Sequence, residues 1–195
     1  MYGKTHVTLN AAIWTGSMWY LQTPAKATLV GLSGVILGSL LPDIDTPTSI
    51  MGRMLPFISR PLNRFLGHRT ITHTIWAIGL WFGVFYGYVQ LRGADPWALF
   101  LFGIALGNAL HIFEDKFSRA GVVLTYPLIR YNKSKRGISY APGHYWGYRV
   151  GGPFERFIMV LAIGFLFIFS VFYIIRFTPD HLVEHLQLVQ LVTIN

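Results

Sequence analysis

The residues able to do chemistry fall into four short clusters. His6 stands near the start of the chain, and Asp43 and Asp45 lie in LLPDID. His68, Arg69 and His73 lie in GHRTITH, and His111, Glu114 and Asp115 in GNALHIFED. His111 and Asp115 are four positions apart, which puts an imidazole and a carboxylate on one helix face, a bidentate arrangement for one metal ion. Asp43 and Asp45 are two apart. In an extended, proline-led segment they project to the same side, and close carboxylates repel unless a cation sits between them. His68 and His73, five apart across a helix start, need not share an ion, and His6 could complete the shell. The set His6, Asp43, Asp45, His68, His73, His111 and Asp115 suits zinc first, with manganese or iron as alternatives, and is large enough for one or two ions. The chain has no cysteine, which excludes a thiolate zinc or iron–sulfur site and a disulfide scaffold. Each cluster also has an ordinary explanation: a stray histidine, a cap pair, a polar helix interface, a satisfied bundle histidine. Asn108, one turn before His111, either orients a ligand or only bridges helices.

These residues must be positioned by an unusual chain. Of 195 residues, 53% are hydrophobic and only 12% charged, about half the roughly 25% of a soluble domain. That excludes a disordered chain and points to a membrane bundle. Charge-free apolar runs cover 157–175, 74–91, 96–113, 27–41 and 7–21. The last two are short, so they are tilted, re-entrant or shielded by the other helices. The expected fold class is all-α: a polytopic membrane helix bundle of about five helices over residues 1–178, with an interfacial loop at 46–67 and a basic loop at 116–155. Residues 179–195 form an amphipathic C-terminal helix, with Leu182, Leu186, Val189 and Val192 at three- and four-residue spacing. Pro24 and Pro96 mark helix starts, and Pro42 and Pro179 mark helix stops. The first run lacks the basic start and cleavage site of a signal peptide. With five crossings, thirteen of the 16 Lys and Arg residues fall on the face that holds the N-terminus, which places that face in the cytoplasm. All four chemical clusters then lie at that level. The net charge of +8 becomes a topology label, and a nucleic-acid partner is not expected.

The pattern resembles the YdjM family, bacterial inner-membrane proteins described as metal-dependent hydrolases. The residues that carry the resemblance are Thr5-His6, the run Gly38 through Asp45, Gly67 through Thr74, and His111 through Asp115 followed by Gly121-Val122 and Tyr126-Pro127. The resemblance spans about residues 4–130 and implies a helical membrane protein whose His and Asp residues bind metal. It also implies a regulatory protein partner, since the family is described as binding a transcriptional repressor. One departure is Glu114-Asp115-Lys116-Phe117-Ser118, where the family tends to have apolar residues around the aspartate and a threonine after it.

The expected reaction is hydrolysis of a phosphoester in a lipid or lipid-linked substrate. Arg69 would clamp a phosphate oxygen, and Asp43 or Asp45 would take a proton from water. The segment 51–66 interleaves Met54, Leu55, Phe57, Ile58, Leu62, Phe65 and Leu66 with Arg53, Arg60 and Arg64. This suits a helix in an anionic headgroup layer, or equally a simple topology anchor. The basic, aromatic stretch 131–149 could be a lid or a second interfacial patch. Two other classes remain: a non-catalytic protein that binds a protein or nucleic acid through its basic loops, and a metal or proton transporter. The transporter needs ionisable groups through the membrane depth, which 74–91 and 157–175 lack after His73 and before Arg176.

Overall fold

The computed structural model describes residues 1–128 and 147–177. Among them are seven α-helices and no β-strand: α1 (Gly3–Tyr20), α2 (Ala25–Leu40), α3 (Ile50–Met54), α4 (Pro56–Phe65), α5 (Ile75–Arg92), α6 (Pro96–Lys116) and α7 (Pro153–Phe177). Two short 3-10 turns, Pro42–Asp45 and Ile71–His73, follow α2 and precede α5. The five long helices stand where the apolar runs lie. α1, α6 and α7 reach beyond those runs because Lys4, His6, Asp115, Lys116, Glu155 and Arg156 are helical although not apolar.

Three helical segments, Ala25–Asp45, Pro96–Lys116 and Pro153–Arg176, are long and apolar enough to cross a membrane. α1 and α5 have 18 residues each, about 27 Å at roughly 1.5 Å per residue, just short of the ~30 Å hydrocarbon layer. α7 leaves Phe157, Val160, Phe165, Phe167, Ile174 and Ile175 exposed, a surface that lipid satisfies and water does not.

The most extensive helix contact is between α2 and α6, and glycines make it possible. A Cβ built on Gly34 would lie 2.1 Å from the Phe100 carbonyl oxygen, one on Gly38 2.2 Å from that of Ile104, one on Gly103 2.3 Å from that of Gly31, and one on Gly107 2.4 Å from that of Val35. Each helix therefore carries a small-xxx-small pair, 34/38 and 103/107, that lets the backbones touch, as in tightly packed membrane helices. Gly31 makes room for the buried Trp14 ring, whose indole N–H donates to the Thr28 carbonyl at 2.9 Å. Pro42 ends α2 by entering the 3-10 turn. Asp95 caps α6, accepting from the Ala98 N–H at 2.9 Å, which holds its carboxyl below the ordinary range.

The segment 51–66 is two helices rather than one. Leu55 leaves the helical region before Pro56, as a residue preceding proline tends to do. Ser49 caps α3 by accepting from the Gly52 N–H. Residues 131–146 of the basic loop and the whole tail 179–195 lie outside the described residues.

Candidate metal centre

The α2–α6 contact sets the end of one helix beside the end of the other. The 3-10 turn that follows α2 carries Asp43 and Asp45, and the last turns of α6 carry His111, Glu114 and Asp115. α1 adds His6, and the 3-10 turn before α5 adds His73. The His6 and His111 rings stack with centroids 3.7 Å apart, and His73 meets His111 edge-on at 5.3 Å. All three imidazoles are fully buried.

Their hydrogen bonds assign a common tautomer. His111 donates from Nδ1 to the Ser39 carbonyl at 2.7 Å. His6 Nδ1 is hydrogen-bonded to Glu114 Oε2. Thr72 donates its hydroxyl proton to Asp45 Oδ2 at 2.7 Å, which leaves the Thr72 oxygen to accept from His73 Nδ1 at 3.0 Å. With the proton on Nδ1 in each ring, each Nε2 presents a lone pair. Those three atoms, His6 Nε2, His73 Nε2 and His111 Nε2, are buried and have no hydrogen-bond partner among the described residues. They converge on two carboxylates. Asp43 Oδ1 lies 3.8 Å from His73 Nε2 and 3.7 Å from His111 Nε2. Asp115 Oδ2 lies 3.8 Å from both, and Asp115 Oδ1 lies 3.4 Å from His6 Nε2.

These separations are too long for hydrogen bonds. They suit donors around a shared cation, since two atoms each about 2.1 Å from an ion at tetrahedral angles sit roughly 3.4 Å apart. His6, His111 and Asp115 form one group of possible ligands, and Asp43, His73 and His111 form a second. The unpartnered Nε2 atoms, with each Nδ1 anchored as in known metal sites, make the residues a good fit to a divalent metal.

Asp45 and His68 sit differently. Together with Asp43 they form a third, more open group. Both Asp45 oxygens already accept hydrogen bonds: Oδ1 from His68 Nδ1 at 2.8 Å and the Thr46 hydroxyl at 3.1 Å, Oδ2 from the Arg69 N–H at 2.9 Å and Thr72. Asn63 of α4 donates to the Asp45 carbonyl at 2.9 Å. Asp45 thus holds its loop and orients His73 through Thr72.

Arg69 departs from the expected phosphate clamp. Its φ of 61° is unusual for a residue with a side chain. Its Nη2 pairs with Asp115 Oδ2 at 2.7 Å, while Nη1 donates to Ser118 Oγ at 2.9 Å and the Gly121 carbonyl at 3.3 Å. Two of its three guanidinium nitrogens are thus engaged, one of them on a candidate ligand, while the buried Nε has no hydrogen-bond partner among the described residues; the Met1 amino group pairs with the other Asp115 oxygen at 2.6 Å.

The sequence places Glu114 in its cluster without a role. It is buried and hydrogen-bonded to His6 of another helix, a pairing no local pattern announces. Glu114→Gln, which leaves every candidate ligand in place, is expected to weaken zinc binding by about 10–100-fold, the usual cost of an outer partner; competition with a zinc dye checks it.

A family model for the YdjM inner membrane protein matches residues 1–178. The chain belongs to the YdjM family. Within it, this YdjM-family chain is similar to "Inner membrane protein YdjM" of Escherichia coli (strain K12) and of Shigella flexneri, 34% identical to each over 122 residues. Those alignments cover 61% of this chain and 55% of each relative, so the chain spans about half the length of the curated relatives it matches. It is also 29% identical over 127 residues to "Uncharacterized protein YvsG" of Bacillus subtilis (strain 168), covering 65% of this chain and 74% of that one. No solved structure matches it. The family and the three apolar helices make this YdjM-family chain a protein of the bacterial inner membrane.

Proposed function

We propose that the protein is a metal-dependent hydrolase that cleaves a phosphoester in a lipid or lipid-linked substrate. The observation that carries the reading is the convergence of three unpartnered Nε2 lone pairs on Asp43 and Asp115. His6, His73, His111, Asp43 and Asp115 would hold the ion, with Asp45 and His68 as outer partners or part of a second site. When bound, a divalent ion such as zinc supplies Lewis acidity toward a phosphoryl oxygen and makes water a better nucleophile at neutral pH.

The chain's own residues do the rest. Asp43 Oδ1 faces the histidines, while the Asp43 carboxylate also lines the neighbouring cavity. On this reading its Oδ2 would accept the proton of an attacking water as general base. Arg69 and Glu114 hold Asp115 and His6 in position, so the site needs little rearrangement on binding. The bias of thirteen basic residues to one face supports a site at the cytoplasmic interface.

Metal analysis of detergent-purified protein tests the reading. Wild type is expected to retain zinc or manganese and to hydrolyse lipid phosphates, and His73→Ala to lose both. Wild-type protein that holds no metal under several metal supplements ends the hydrolase reading.

A further inference from the structure

We propose that Lys4 and Arg53 bind the phosphate of a lipid phosphomonoester in the cavity that opens on Asp43. This deepens the hydrolase reading and rests on it for the reaction, but not for the binding. The cavity measures about 520 Å³, and among the described residues it is lined by Lys4, Arg53 and Arg69, by Met1, whose amino group is paired with Asp115, by Asp43 as the one acid, and by Leu40, Ile50, Met51 and Val150 among its apolar residues. A volume of this size holds a small ligand rather than an ion.

Three observations separate the roles of the cations. Arg69 has both terminal nitrogens engaged, Nη2 by Asp115 and Nη1 by Ser118 and Gly121. Lys4 and Arg53 are exposed, and neither side chain has an ion-pair partner among the described residues. No acid stands between residues 46 and 94, so the Arg53 side of the wall has no carboxylate of its own. Asp43 turns one oxygen to His73 and His111. The cavity thus offers two uncommitted positive charges beside the candidate metal ligands.

A phosphomonoester carries close to two negative charges at neutral pH, and a diester carries one; two free cations complement the monoester. The apolar residues of the same wall fit the start of a hydrocarbon chain. Hydrolysis there would consume one water. The new P–O bond forms to the water oxygen, the P–O bond to the lipid alcohol breaks, and the water proton passes by way of Asp43 to the departing oxygen. The products are the free alcohol and inorganic phosphate.

The test is binding by the full chain in detergent micelles with zinc restored. The probes are dihexanoyl phosphatidic acid, dihexanoyl phosphatidylcholine and inorganic phosphate. Wild type is expected to bind phosphatidic acid more tightly than phosphatidylcholine, and more tightly than inorganic phosphate. Lys4→Gln and Arg53→Gln should each weaken phosphatidic acid about tenfold, with zinc content and melting temperature unchanged, and Arg53→Lys should recover part of the loss. Unchanged affinity in both glutamine variants overturns the proposal, as does equal binding of phosphatidylcholine. Inorganic phosphate bound as tightly as phosphatidic acid overturns the lipid as occupant. If phosphatidic acid binds, the variants weaken it and no phosphate is released, this inference stands and the hydrolase reading falls.

Discussion

His111→Ala is expected to empty the metal centre. His111 belongs to two of the three candidate ligand groups, and its Nε2 lies within 3.8 Å of both Asp43 and Asp115. Loss of a direct ligand should exceed the roughly 10–100-fold that loss of an outer partner costs, so the purified variant should carry almost no zinc and show no phosphoesterase activity. Truncating a buried histidine also leaves a cavity, so folding needs its own control: the variant should still run as a single species by size exclusion. Asp45→Asn is the informative companion. Asn keeps the size of the side chain but weakens its hold on His68, Thr72 and the Arg69 N–H. Zinc affinity should fall, but less than in His111→Ala. Full zinc content in His111→Ala would leave the non-catalytic reading as the stronger one.

Gly38→Ala is expected to damage the same centre from a distance. The added methyl would sit 2.2 Å from the Ile104 carbonyl oxygen, so α2 and α6 must move apart. Overpacking of this kind costs about 1–3 kcal/mol, read as a lower melting temperature in micelles. The carbonyl of Ser39, the next residue, accepts the hydrogen bond from His111 Nδ1–H, so the shift should also loosen His111 and lower zinc affinity, although no ligand has been changed. Gly83→Ala on α5 is the matched control. Nothing lies within 4 Å of a Cβ there, and alanine in an open helix position should be neutral or stabilising by about 0.5–1 kcal/mol. Equal behaviour of the two variants would show that the α2–α6 contact does not carry the site.

How far the sequence could be read follows from these residues. Scarcity of charge made the four clusters conspicuous, and the clusters at 6, 43–45, 73 and 111–115 do come together. The long helices were legible because apolar runs of that length have few other uses. What was not legible depended on a partner in another segment. Nothing near Glu114 points to His6, and nothing near Arg69 predicts a left-handed backbone that aims its guanidinium at Asp115. As a sequence the segment 51–66 suits one helix, and the structure divides it before Pro56. The glycines play no part in the sequence reading. The pairs 34/38 and 103/107 mark the central contact, yet Gly79, Gly83 and Gly87 repeat the spacing on α5 with no described atom within 4 Å of an added Cβ. Spacing alone does not say which stripe is used.

The α2–α6 pairing also bears on how the protein is made. His6, Asp43 and His73 leave the ribosome well before α6, while His111 and Asp115 come at its end. At about 5–20 residues per second, the early helices emerge with an incomplete set of candidate ligands, and the set is complete only once α6 docks on the glycines of α2. On the metal-dependent reading proposed above, metal loading would then be a late step, gated by helix docking in the bilayer rather than by the encounter of a nascent chain with zinc.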